Sequence, residues 1–191
     1  IYVEPFSGSA AVALHLLDSG HPPSAIILND INTDLVNLYK VVKSNPHELL
    51  AYLKALQAEY DELEDKESKQ PYYYAKREEF NTREADNIKH AGLFVFLNRA
   101  GFNGLYRVNS KNKFNVPIGS YKKPNFVFED IILQASKVLA NVEIYNQSYE
   151  DTLSHLEQFN KSNLPAFFYF DPPYKPLSES SSFTSYSKDS F

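Results

Sequence analysis

The chain has 191 residues, of which 43% are hydrophobic and 15% aromatic, enough to bury one substantial core, and no apolar stretch is long enough to span a bilayer. Zero cysteines exclude disulfides and thiolate metal ligands, and the five histidines are scattered without metal-ligand spacing, so no metal is expected. The net charge of −5 excludes a uniformly basic protein, but the charges are segregated. From Asn87 to Phe128 there is no carboxylate, while Lys89, Arg99, Arg107, Lys111, Lys113, Lys122 and Lys123 are all cationic; the 24 acids lie elsewhere. One basic lobe on an acidic body fits a protein that meets phosphates with a single surface.

In chain order, Ile1 to Phe6 reads as a strand, and Ser7-Gly8-Ser9 turns into a serine-capped helix over Ala10 to Asp18. Gly20 to Pro23 stops it. Ala25 to Leu28 is a second buried strand ending at Asn29-Asp30, and Leu35, Val36, Leu38, Tyr39 and Val42 give helical spacing over Asp34 to Lys43. This strand–helix alternation predicts an α/β fold, a doubly wound, Rossmann-like sheet of parallel strands. Glu48 to Glu67 then reads as one charged amphipathic helix, followed by helices over Tyr72 to Phe80 and Ile88 to Asn98. Arg99 to Lys123, with an Asn103-Gly104 turn signal, reads as a hairpin or ordered loop. Glu129 to Ala140 returns to helix, Val142 to Tyr145 to strand, Tyr149 to Phe159 to helix and Ala166 to Phe170 to strand. The expected organisation is an α/β domain over residues 1–43 and 129–191, interrupted by a helical and hairpin insertion over 44–128. Both ends read as cut, so the chain is expected to be a fragment.

Two places carry chemistry. Ser7-Gly8-Ser9 follows the first strand and opens a helix, where backbone N–H groups and a residue without Cβ let a ligand approach the main chain. Asp30 stands 22 positions beyond Gly8, where an acid can bind ribose hydroxyls in nucleotide folds. A single glycine instead of a glycine-rich fingerprint disfavours dinucleotides and nucleoside triphosphates, and leaves a nucleoside without a pyrophosphate, such as S-adenosylmethionine. For Asp30 alone, a helix-capping or loop role stays open. The second place is Asp171-Pro172-Pro173-Tyr174, at the end of an apolar run. Two prolines remove two backbone donors and hold the chain extended, so the Pro172 carbonyl has no ladder to enter. With the Asp171 carboxylate and the Tyr174 ring it would suit a flat exocyclic amine, whereas a plain strand followed by a turn is the bland alternative.

With these pieces together, the chain resembles the Dam-like DNA adenine-N6 methyltransferases over almost all of its length. Val3-Glu-Pro-Phe-Ser-Gly-Ser9 resembles the family's cofactor motif, and Asn29-Asp-Ile-Asn32 the motif whose acid holds the cofactor ribose. Phe96-Leu-Asn-Arg-Ala-Gly-Phe-Asn-Gly-Leu-Tyr-Arg107, with Phe114 to Gly119 and Tyr121 to Pro124, is similar to the target-recognition segment. Asp171 to Tyr174 matches the catalytic motif, and Phe183-Thr-Ser-Tyr186 resembles the segment after it. The resemblance implies methyl transfer from S-adenosylmethionine to a flipped adenine in double-stranded DNA, with GATC as the expected site. It implies cofactor contacts from Glu4, Pro5, Phe6, Ser7, Gly8, Ser9, Asp30, Ile31 and Asp171, and catalysis at Asp171, Pro172, Pro173 and Tyr174. Arg107 is expected to read a guanine edge, Phe102 and Asn103 to enter the space at the flipped base, and Leu105 and Pro117 to meet a thymine methyl. Arg99, Lys113, Lys122 and Lys123 complete the DNA-binding set. The expected protein is a cytoplasmic monomer, bacterial or phage-like, with no membrane partner. The same fold acting on cytosine N4 or RNA adenine, and a DNA-binding module without turnover, stay open as alternatives. For Phe102, Leu105 and Pro117, simple hairpin packing is the alternative.

Overall fold

The computed structural model describes residues 1–159 and 163–173. Four strands, Tyr2–Glu4 (β1), Ile26–Asn29 (β2), Val142–Tyr145 (β3) and Phe167–Phe168 (β4), form one parallel sheet in the order β3-β2-β1-β4. Pairing is in register from Tyr2 opposite Ile26 and Phe167, and from Ile26 opposite Val142. β1 and β2 are buried along their whole length, as continuous apolar runs in a parallel sheet are. From β1 the chain steps outward to β2 and β3 on one side, then returns to place β4 on the other. The strand order therefore reverses between β1 and β4, and ligands of open α/β sheets bind outside the carboxyl ends of the strands at such a reversal.

The described α-helices are Ala11–Asp18 (α1), Thr33–Ser44 (α2), Pro46–Asp61 (α3), Lys66–Thr82 (α4), Asn87–Ala100 (α5), Glu129–Leu139 (α6) and Thr152–Phe159 (α7), the last preceded by a 3-10 turn over Tyr149–Asp151. The parallel α/β sheet agrees with the sequence, but two local expectations are corrected. The expected helix over Glu48 to Glu67 is broken: α3 ends at Asp61, and Asp65 starts α4 through a capping box with Ser68. The first helix has no serine cap. Its N-cap is Ala10 in the left-handed region at φ 51°, and the Glu4 carboxylate accepts from the Ala13 N–H at 2.9 Å. The Asn103-Gly104 signal makes a tight 3-10 turn with both residues at positive φ, but the two arms of the loop meet elsewhere. They pair only through isolated bridges, Gly101 with Ile118 and Val108 with Phe114.

One apolar cluster runs from the sheet residues Tyr2, Ile26, Leu28 and Val142 into Leu53, Tyr60, Phe96 and Phe126 of the middle segment. The buried helix α5 carries this continuity, lying against α2, α3 and α4. Gly92 sets the approach of α5 to α3, since a methyl there would collide with the Tyr52 ring. The middle segment is thus packed onto the sheet domain and does not hang from it.

Candidate active site

The loops after β1 and β2 are tied together. Gly8 N–H donates to Asp30 Oδ2 at 2.9 Å, and Asn32 N–H donates to Oδ1 of the same carboxylate at 2.8 Å. Burial pushes the Asp30 carboxyl up, while backbone N–H groups of Asn32, Gly8 and Ile31 oppose the shift. Asp30 does not cap α2; Asn32 does, accepting from the N–H groups of Asp34 and Leu35 at 3.1 and 3.2 Å. Asn29 stitches the neighbouring loops, donating to the carbonyls of Pro5 and Gln147, each at 3.1 Å, while its own oxygen accepts from Gln147 N–H. Tyr39 on α2 supports the turn from below, its hydroxyl donating to the Gly8 carbonyl at 2.6 Å. Gly8 itself is exposed at φ +46°, and a Cβ placed there would meet nothing within 4 Å. Beside it Ile31 is 43% exposed, an apolar side chain at the rim. Pro5 and Ser7 are buried, and Ser9 is exposed on the same turn.

Glu4 lies deeper than the sequence implied. It is 2% exposed, and Oε1 accepts from both the Tyr2 hydroxyl at 2.7 Å and the Ala13 N–H, so it anchors the turn into α1. Burial pushes the Glu4 carboxyl up, the hydrogen bonds from Tyr2 and Ala13 pull it back, and the charge of Asp171 adds to the upward push. The pairing of β4 with β1, continued by Tyr169 N–H donating to the Val3 carbonyl at 2.9 Å, brings the end of β4 to the β1 turn. The rings agree: Phe6, half-buried, lies 5.1 Å from Tyr149 and 6.4 Å from Phe170. Asp171 and Pro172 are exposed there, with Pro173 half-buried behind them. Tyr174 and the Phe183 to Tyr186 segment lie outside the described residues. A carboxylate after β4 and an open glycine turn after β1 therefore flank the point where the strand order reverses.

The basic lobe forms a second surface. Phe102 is 49% exposed and Leu105 46%, and Pro117 is exposed beside them, its carbonyl accepting from Phe102 N–H at 2.9 Å. Three apolar side chains are thus exposed on this surface. Arg99, Asn103, Lys122 and Lys123, with Tyr121, line an adjoining cavity of about 460 Å³. Arg107 is half-buried, and its Nε donates to Asn115 Oδ1 at 2.7 Å, which fixes the direction of the guanidinium. Lys113 is exposed at the far tip, its backbone N–H held by Asn109 Oδ1.

A family model described as D12 class N6 adenine-specific DNA methyltransferase matches residues 1–191. The chain belongs to this family. It is 42% identical over 192 residues to the type II methyltransferase M.MjaIII of Methanocaldococcus jannaschii, an alignment covering 100% of this chain and 64% of that protein. It is 38% identical over 189 residues to the DNA adenine methylase of Escherichia coli K12, covering 99% and 61%. To the type II methyltransferase M1.LlaDCHI of Lactococcus lactis it is 35% identical over 195 residues, covering 100% and 62%. The chain thus spans somewhat less than two thirds of the length of these relatives. Among the described residues no helix is long and apolar enough to cross a membrane, and no cluster of His, Cys, Asp or Glu is arranged to hold a metal ion.

One polar cluster of this family member is absent from the sequence reading. Asp34, in the first turn of α2 and 2% exposed, is bonded by three side chains. Arg83 pairs with Oδ1, His90 Nε2 lies 2.9 Å from the same oxygen, and the Tyr106 hydroxyl donates to Oδ2 at 2.7 Å. Burial alone would push the Asp34 carboxyl up, but the hydrogen bonds from His90, Arg83 and Tyr106 hold it down at about 2. An acid in the first turn of a helix ordinarily reads as a solvated partner of the helix dipole, so nothing local marks it as buried.

Proposed function

We propose that this chain is the catalytic and target-reading part of an enzyme that transfers a methyl group from S-adenosylmethionine to N6 of adenine in double-stranded DNA, within GATC. The observation that carries this reading is the placement of Asp171 after β4 and of the bonded Gly8–Asp30 pair after β1 and β2, at the strand-order reversal, where open α/β sheets take ligands in a crevice. Residues 1–43 and 129–191 serve the cofactor and the chemistry, and residues 44–128 serve target recognition.

The crevice suits a nucleoside ligand. The Asp30 oxygens accept from the Gly8 and Asn32 N–H groups and keep lone pairs for ribose hydroxyls, the open Gly8 turn admits the ligand to the main chain, and exposed Ile31 offers an apolar face to a base. Glu4, Pro5, Phe6, Ser7 and Ser9 shape and hold that turn. S-adenosylmethionine, when bound, supplies an electrophilic methyl group on a sulfonium. The chain's own task is to present a nucleophile to it. Adenine N6 is a poor one because its lone pair is delocalised into the ring, and in a duplex it is also paired and stacked, so the base must be flipped out. The Asp171 carboxylate and the Pro172 carbonyl then accept the two N6 hydrogens and draw the nitrogen toward tetrahedral geometry. The same acceptors stabilise the positive charge that grows on N6 as the new C–N bond forms. Pro173 keeps the segment extended, and Tyr174 supplies a stacking face. The cationic product then sheds a proton, so Asp171 need not be a strong base.

On the second surface, Phe102 and Asn103 enter the space at the flipped base, Leu105 and Pro117 meet a thymine methyl, and Arg107 reads guanine. Arg99, Lys113, Lys122 and Lys123 contact phosphates. Affinity and specificity should therefore come apart on mutation. Neutralising Lys122 and Lys123 together weakens all duplexes alike and lowers the salt slope of binding by roughly 1 to 2 units. Arg107→Ala costs about 1–3 kcal/mol against the cognate duplex and little against one already mismatched at that base. Methylation rates on a GATC duplex and three single-base variants, at two salt concentrations, test both. Equal losses on every duplex for Arg107→Ala would make it a phosphate or structural arginine and remove the support for GATC.

A further inference from the structure

The Arg99 to Lys123 loop has no continuous ladder, only two isolated bridges, so its shape depends on side-chain anchors. Most anchors come from α4 and its C-terminus. Asn81 brackets the Phe114 backbone, donating to its carbonyl at 3.1 Å and accepting from its N–H at 2.8 Å. The Tyr73 hydroxyl donates to the Val116 carbonyl at 3.1 Å, and Arg83 Nη2 to the Asn112 carbonyl at 3.0 Å. Tyr106 is different. Its hydroxyl bond runs to Asp34 on α2, the helix whose entry, through Asn32 and Asp30, is bonded to the Gly8 turn. Arg83 pairs with that same carboxylate, so Asp34 reaches the loop at Tyr106 directly and at Asn112 through Arg83. These two points bracket Arg107. Arg107 itself pairs across the loop with Asn115, by the side-chain bond already described and by Asn115 N–H donating to the Arg107 carbonyl at 3.1 Å. Asp34 and its partners therefore hold the Arg107 side of this pair, while Asn81 and Tyr73 hold Phe114 and Val116 on either side of Asn115.

We infer that Asp34, buried where α2 meets the Arg99 to Lys123 loop, is a positioning residue for sequence discrimination, setting the aim of Arg107 through Tyr106 and Arg83. The inference rests on the reading of Arg107 as the guanine reader. A two-bond contact to a base edge tolerates an error of only about 0.5 Å, whereas a phosphate contact is forgiving. Loosening the loop should therefore cost specificity before it costs general DNA affinity.

The clean variant is Tyr106→Phe, which removes one hydroxyl and leaves its ring against Phe94 at 5.4 Å and Phe114 at 5.8 Å. Asp34→Asn is the second variant, and the whole protein is used. Discrimination between the cognate duplex and one altered at the guanine is read twice, by equilibrium binding and by methylation rate. Amide hydrogen exchange over residues 105–116 and calorimetric S-adenosylmethionine affinity are measured alongside. Tyr106→Phe is expected to lower discrimination about tenfold, toward the lower end for loss of one base contact. Binding to the altered duplex and cofactor affinity stay within about twofold, and the 105–116 amides exchange faster. Unchanged discrimination in Tyr106→Phe overturns the role, whatever happens to thermal stability. A wild type that binds the cognate duplex selectively but transfers no methyl overturns the functional reading alone, and the binding ratios then decide the role of Asp34. A wild type that shows no selectivity in either assay overturns both.

Discussion

Asp171→Ala lowers methyl transfer to DNA by roughly 10²–10³-fold or more, while S-adenosylmethionine affinity stays within about tenfold, because the carboxylate acts on charge that exists only in the transition state. Asp171 is exposed beyond the last described strand, so truncating it leaves no cavity and the fold should survive. Asp171→Asn sharpens the test. It keeps the size of the side chain but loses the charge and can present an NH2 to an amine that itself must donate, so it should be impaired nearly as much. Single-turnover rates with labelled cofactor separate this from slow product release. Near-normal turnover in either variant would return Asp171 to an ordinary turn residue.

Asp30→Ala weakens S-adenosylmethionine binding about a hundredfold, the effect of losing two charge-assisted hydrogen bonds at roughly 1.5 kcal/mol each. The variant also releases the Gly8 and Asn32 N–H groups that the carboxylate now holds. The β1 and β2 loops keep other ties, since Asn29 still bridges Pro5 and Gln147 and Glu4 still holds Ala13. Folding should therefore be little affected, and calorimetric titration beside a thermal melt distinguishes the two effects. An unchanged dissociation constant with a lowered melting temperature would make Asp30 a loop carboxylate and nothing more.

The parts of the fold legible in the sequence are those written in local pattern. The Val142 to Tyr145 strand matches its expected bounds, and the two buried runs near the start announce a parallel sheet because apolar residues there do not alternate. The boundary between α3 and α4 was hidden because Leu63 continues the apolar spacing and no glycine or proline marks the break. The decision falls to Asp65 and Ser68, whose reciprocal bonds start a new helix. The start of α1 misled for a related reason: a nearby serine was the obvious cap, yet a carboxylate nine residues upstream of Ala13 meets that helix. Of the candidate site, Gly8, Asp30 and Asp171 stand out in the sequence because each follows a strand. The Asp34 cluster was not, since its partners stand 49, 56 and 72 residues away and only folding brings them together.

Methylation of adenine N6 at the crevice between β1 and β4 is the activity proposed for this protein. It is tested most directly by incubating the whole protein with S-adenosylmethionine and unmethylated duplex DNA, digesting the DNA to nucleosides and weighing the modified ones by mass spectrometry. N6-methyldeoxyadenosine is the expected modified nucleoside, absent when Asp171→Ala replaces the wild type. N4-methyldeoxycytidine, or no modified nucleoside from a protein that binds both cofactor and DNA, would contradict it.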